Sequence, residues 1–135
     1  HLTTGRIVDR FRPADLWLDG GHNPAAGVML ARTLADLPDR PTHLVCGMLN
    51  TKDIRGYLLP LAKVAQSLTA ISTPGEANPL PASVTATAAR DVGMVAAVAD
   101  SLDAALEDIS AKEPYARILI CGSLYLAGHV LRENS

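Results

Sequence analysis

The sequence has 135 residues, of which 48% are hydrophobic, 4% aromatic and 19% charged; that length supports one domain with a real core, and that composition is globular rather than disordered. A formal net charge of −2 provides no basic face for a nucleic-acid backbone, so no RNA or DNA partner is expected. No apolar run approaches the roughly 18–20 residues of a membrane span, and His1 to Arg6 lacks the charged head and apolar stretch of a secretory leader.

In chain order, Gly5 to Phe11 alternates apolar and polar residues, which predicts an edge strand with one wet face. Leu16 to Leu18, Leu44 to Cys46, Leu68 to Ile71, Val95 to Ala99 and Ile118 to Cys121 are continuous apolar runs, the pattern of parallel strands buried on both faces. Helical spacing fills the gaps. Asn23-Pro24 predicts a capped start for a helix with Ala26, Leu30, Leu34 and Leu37 on one face. Asp53 caps a second stripe, Ile54, Leu58, Leu61, Ala62 and Ala65, in which Pro60 predicts a kink or two short helices. Pro81 opens a third helix that Gly93 ends, Ser101 caps a fourth, and Ser123 begins the last, to about Glu133. Strand–helix alternation of this kind specifies a three-layer α/β/α domain with a mostly parallel sheet, one domain over residues 1–135. Ser72 to Pro81 is the one long irregular segment, and loops of that length are more often functional or mobile than mere connections.

Three polar clusters stand where a predicted strand gives way to a helix: Asp19-Gly20-Gly21-His22-Asn23-Pro24, Gly47-Met48-Leu49-Asn50-Thr51-Lys52-Asp53 and Cys121-Gly122-Ser123. In open α/β sheets the carboxyl ends of the strands bind ligands, and helix N-termini there offer free N–H groups to anions. Each residue also has a plainer reading. Asp19 before Gly caps a turn, His22 is a surface histidine, Ser123 is an ordinary N-cap and Lys52 a solvated charge. Cys46 and Cys121 form no CxxC pair, so they are expected to be buried, reduced and without metal, in keeping with a cytoplasmic protein. His22, His43, His129 and the cysteines have no metal-ligand spacing. There is no G-x-x-x-x-G-K-[ST] phosphate loop, and Gly20, Gly21 and Gly27 do not make G-x-G-x-x-G.

Together the clusters resemble one family. Leu18-Asp19-Gly20-Gly21-His22-Asn23-Pro24 is similar to the Asp-Gly-Ala-His-Asn-Pro signature of folylpolyglutamate synthase/dihydrofolate synthase, with Gly21 for the usual Ala. Gly47-Met48-Leu49-Asn50-Thr51-Lys52-Asp53 resembles its Gly-Met-x-x-x-Lys-Asp segment, and Gly122-Ser123-Leu124-Tyr125-Leu126-Ala127 its C-terminal Gly-Ser-Leu-Tyr-Leu-Ala stretch. The family belongs to the Mur-ligase superfamily. The resemblance implies a C-terminal domain with a Rossmann-like sheet of six strands, the first antiparallel, and an N-terminal ATPase domain outside this chain that holds the phosphate loop and magnesium ligands. The absence of an initiator Met likewise leads us to expect a piece of a longer protein. The family's Pro-small-Arg motif, whose Arg approaches the nucleotide, has only Thr4-Gly5-Arg6 as a counterpart, without the proline. That role is not carried to Arg6.

The implied reaction uses ATP and Mg2+ to phosphorylate a folate-side carboxylate, and the amine of L-glutamate then attacks the acyl phosphate. By resemblance, Asp19 and Asn23 would hold the nucleotide from this side, His22 and Ser123 would act as catalytic and substrate-binding residues, and Lys52 would attract a glutamate carboxylate. The isolated chain is expected to be inactive, and the motifs do not say whether first or later glutamates are added. Two alternatives are a Mur-type ligase for a different amino acid, which shares His-Asn-Pro, and a non-catalytic α/β binding domain, which would not require the three motifs together.

Overall fold

Asp15–Leu18 (β1), Thr42–Cys46 (β2), Ser67–Ala70 (β3), Val95–Val98 (β4) and Arg117–Cys121 (β5) form one sheet in the computed structural model, which describes residues 1–49, 53–72 and 80–135. Their order is β1-β5-β2-β3-β4, and every neighbouring pair is parallel. Six helices accompany them: Arg6–Phe11 (α1), Pro24–Asp36 (α2), Ile54–Leu61 (α3), Ala82–Asp91 (α4), Leu102–Lys112 (α5) and Leu124–Glu133 (α6).

Period-two alternation divides the sheet's side chains between two cores. Val45, Ile118 and Ile120 join α1, α5 and α6 on one face. Leu44, Cys46, Leu68, Ala70, Leu119 and Cys121 join α2, α3 and α4 on the other. All of β5 is buried, which is why it reads as an unbroken apolar run. Three successive crossovers through α2, α3 and α4 carry the chain outward along one face, and α5 returns it across the other face to insert β5 between β1 and β2. The three-layer α/β/α expectation holds.

Several expectations need correction. The sheet has five strands among the described residues, not six, and the expected antiparallel first strand is a single bridge between Leu2 and Leu16. Gly5 to Phe11 is not an edge strand. Its Ile7, Val8 and Phe11 sit at helical spacing and are buried in the α5 core. The far end of the chain completes this helix: the N–H groups of Ile7 and Val8 donate to Asn134 Oδ1 at 2.8 and 3.2 Å. That partner lies at |i−j| of 127 and 126 and leaves no local signal. β4 is not buried on both faces. It is the sheet edge, with Val95 73% and Val98 51% exposed. The second helical stripe stops early, because α3 ends at Leu61, one residue after Pro60, as a single short helix without a second segment. A proline in the last turn removes an N–H where the helix is already terminating.

The predicted caps are in place. Asn23, Asp53, Ser101 and Ser123 each accept a hydrogen bond from a first-turn N–H of the helix that follows. Gly93 takes φ +90 just beyond α4, the left-handed conformation that ends helices at glycine. Most of the irregular segment from Ser72 to Pro81 lies outside the described residues.

Candidate functional site

The sheet order makes β1, β5 and β2 neighbours, so the turns after these strands stand side by side at one edge. After β5 the chain enters α6 on one face; after β1 and β2 it enters α2 and α3 on the other. Adjacent strands that feed helices on opposite faces leave a crevice between them, the topological switch point where α/β proteins bind ligands.

Each turn is locally fixed. After β1, the Asp19 N–H extends the ladder to Ile120 O at 3.0 Å, and Asp19 Oδ2 accepts the Gly21 N–H at 2.7 Å. A Cβ at Gly21 would stand 2.6 Å from the Ala26 Cβ, so this tight turn admits alanine only if the start of α2 shifts. After β5, Gly122 has φ +113, and a Cβ there would stand 2.8 Å from Gly47 O. The Gly47 N–H donates to Cys121 O at 3.1 Å. The β2 and β5 turns are thus packed backbone to backbone, and the positive φ requires glycine.

His22, Leu49, Gly122, Ser123, Leu124 and Tyr125 line a cleft of about 160 Å3 at this edge. His22 and Ser123, far apart in sequence, are therefore brought together. Ser123 is 1% exposed, and its Oγ accepts the Leu126 N–H at 3.0 Å, which leaves the hydroxyl proton to donate. His22 is exposed at the other wall. The N-termini of α2 and α6 begin beside the cleft, and their partial positive charge favours an anion there. Asn23 is exposed and its Oδ1 accepts the Ala26 N–H at 2.9 Å, which makes it a helix cap first. Asp19 is held in its turn next to the cleft, not in its lining. Lys52 lies outside the described residues.

Leu49, Leu124 and Tyr125 were not singled out from the sequence. Of Leu124-Tyr125-Leu126 only Leu126, with Val130, falls on the buried side of α6. Leu124 and Tyr125 stay 71% and 58% exposed at the cleft mouth. Large apolar side chains left uncovered around a pocket mark a binding surface.

Beneath the cleft lies a closed floor. Cys46 and Cys121 face one another in register across β2 and β5, both buried and unbridged. The contact with Cys121, together with burial, pushes the Cys46 thiol up from its ordinary value. Burial likewise raises Tyr57, whose hydroxyl has no hydrogen-bond partner among the described residues. These groups stay protonated at neutral pH. Among the described residues, no group of three or more His, Cys, Asp or Glu is arranged to hold a metal, and no helix is long and apolar enough to cross a membrane.

Residues 9–133 match the family model described as dihydrofolate synthetase, C-terminal domain. No curated protein sequence matches the chain significantly. Among solved structures, Mycobacterium tuberculosis folylpolyglutamate synthase complexed with ADP and AMPPCP is 30% identical, covering 97% of this chain and 32% of its own length with a TM-score of 0.78. E. coli FolC in complex with DHPP and ADP is 26% identical, covering 84% of this chain and 27% of its own, with a TM-score of 0.70. At 24% identity, a bifunctional folylpolyglutamate synthase/dihydrofolate synthase from Yersinia pestis, complexed with AMPPNP and Mn ion, shares the fold at a TM-score of 0.69 over 87% of this chain and 28% of its own. The chain thus spans about a third or less of the length of these proteins. The match over nearly its whole length places it in a ligase family of folate metabolism: this chain belongs to the dihydrofolate synthetase C-terminal domain family.

Proposed function

We propose that this chain is the glutamate-binding half of an ATP-dependent ligase that forms an amide between L-glutamate and a folate-side carboxylate, either dihydropteroate or a folate that already carries glutamate. The observation that carries the reading is the convergence of His22 and Ser123 on one cleft at the switch-point edge, in a chain of this family. In this reading the carboxylate is first phosphorylated by ATP. The glutamate amine then attacks the acyl carbon, and the C–O bond to phosphate breaks as the amide forms. His22 and the Ser123 hydroxyl donate hydrogen bonds to the anionic oxygens that pass through the cleft. The α2 and α6 N-termini add fixed positive potential at no cost of reorganisation. Asp19 and Asn23 hold the nucleotide at the neighbouring turn, and Lys52 supplies charge to a glutamate carboxylate.

The donor set of the described residues does not fit a magnesium site, and the sequence has no phosphate loop. Both belong, in this proposal, to an N-terminal ATPase domain that closes against the exposed Leu124 and Tyr125 and excludes water from the acyl phosphate. The test is incorporation of labelled glutamate into dihydropteroate or tetrahydrofolate with ATP. A protein that joins this chain to such a domain is expected to form the labelled amide with release of ADP and phosphate, and the 135-residue chain alone to form none. Turnover by the chain alone, or failure of the joined protein with glutamate and success with a different amino acid, would overturn the assignment.

A further inference from the structure

The helices on the α5 side leave part of the sheet bare. Three helices cover β2, β3 and β4 on the opposite face, but α5 lies over β2 and leaves the outer strand β4 open, with Val95 73% exposed. The result is a groove of about 210 Å3 between the flank of α5 and β3–β4, walled by Thr69, Val95, Ala97 and Ile109. At its floor stand three side chains in a hydrogen-bonded row. His43 and Ser67 face each other in register at the starts of β2 and β3, with His43 Nδ1 2.6 Å from Ser67 Oγ. His43 Nε2 lies 3.1 Å from Glu113 Oε1, at the C-cap of α5. The carboxylate selects the tautomer with its proton on Nε2, and Nδ1 is then the acceptor for the Ser67 hydroxyl proton. His43 is 11% and Glu113 35% exposed, so the row is sheltered without being sealed.

This is the order nucleophile, base, orienting acid, mounted on two strands and a helix end. It sits at the amino ends of the strands, whereas the ligase cleft is at their carboxyl ends, so the two readings stand or fall separately. We propose that Ser67 is an activated nucleophile and that the groove hydrolyses small esters with an apolar acyl group. Ser67 Oγ attacks the ester carbonyl carbon, and its proton passes to His43 Nδ1. The C–O bond to the alcohol breaks, and the departing alkoxide takes that proton. Water, deprotonated by the same nitrogen, then attacks the acyl carbon; the Ser67 Oγ–C bond breaks, and the proton returns to Oγ. Lys112 lines the same groove and supplies positive charge for the tetrahedral oxyanion.

Two probes test this on the 135-residue chain: p-nitrophenyl butyrate for turnover and an alkyl fluorophosphonate for covalent capture, with peptide mass spectrometry to locate the adduct. The expected result is one phosphonate per chain on Ser67. Its rate should fall by roughly 10²-fold or more in His43→Gln and by about tenfold in Glu113→Gln, in line with the usual contribution of a positioned base, while circular dichroism shows all variants folded. Ser67→Ala should abolish the adduct and the ester turnover together. Should Ser67→Ala not fold, Ser67→Cys provides the second arm, with labelling by a thiol-directed acyl reagent expected to depend on His43 in the same way. No adduct on Ser67, or labelling that is as fast in His43→Gln as in the parent, would overturn the proposal.

Discussion

The two ends of the β1–β5–β2 strands are built to opposite specifications. At the amino ends of β1 and β5 the charged groups are spent on the protein itself. Arg117 is 4% exposed, and its guanidinium donates to Asp15 Oδ2 at 3.1 Å and to Pro38 O at 2.9 Å. Arg40 closes the same end by donating to Pro13 O and to Tyr115 O. At the carboxyl ends the backbone is just as tightly fixed, through Gly47, Gly122 and the Asp19 turn, but His22, Leu124 and Tyr125 are left exposed around the buried Ser123, which keeps a donor. A rigid backbone under unspent side chains is what a binding site requires. Along these three strands the difference separates residues that hold the fold from residues open to a ligand at the carboxyl edge; the groove beside β3 and β4 lies outside it.

The sharpest way to break that comparison is at the amino end. Arg117→Met takes the buried guanidinium from Asp15, which keeps His1 and Trp17 as partners, and is expected to lower stability by about 1.5–3 kcal/mol, read from chemical denaturation, without altering ligand affinity at the far edge. A loss under about 1 kcal/mol would put the pair among exposed ones. Next in size is Gly122→Ala. With φ +113 and Gly47 O 2.8 Å from the new methyl, it should cost roughly 1–3 kcal/mol and also shift Ser123, so it affects stability and site together. The floor between the ends makes a pH prediction. Cys46 and Tyr57 are both raised in the folded chain, so the unfolded chain gives up these protons first. The stabilising contribution is complete below the ordinary thiol range; it declines above about pH 8.5 for Cys46 and above about pH 10 for Tyr57, by up to about 1.4 kcal/mol per pH unit for each group. Denaturation midpoints between pH 7 and 10 check it. Cys46→Ala should flatten the first part of that decline.

Much of this architecture was legible in the chain. Continuous apolar runs announced the central strands because β2 and β5 are buried on both faces, and Asn23, Asp53, Ser101 and Ser123 announced helix starts because a cap bonds within three residues of itself. What failed depended on distant partners. Gly5 to Phe11 is a helix because Asn134 caps it and α5 buries it. Val95 to Val98 is apolar yet lies at the sheet edge, and no pattern within four residues reports strand order. At the site, His22 and Ser123 were readable from their place between strand and helix. Leu124 and Tyr125 were not, because a large apolar residue in a helix reads as core until the neighbouring elements are known.

The central claim is that His22 and Ser123 serve the carboxyl-edge cleft chemically and not only as surface residue and helix cap. The direct measurement is turnover and stability together for His22→Ala and Ser123→Ala, in a protein that joins this chain to the proposed ATPase domain. The account predicts glutamate ligation lowered by roughly 10²-fold or more, with Ser123→Ala costing only about 0.5–2 kcal/mol of stability and His22→Ala less. Near-normal ligation beside a clear drop in stability would contradict it.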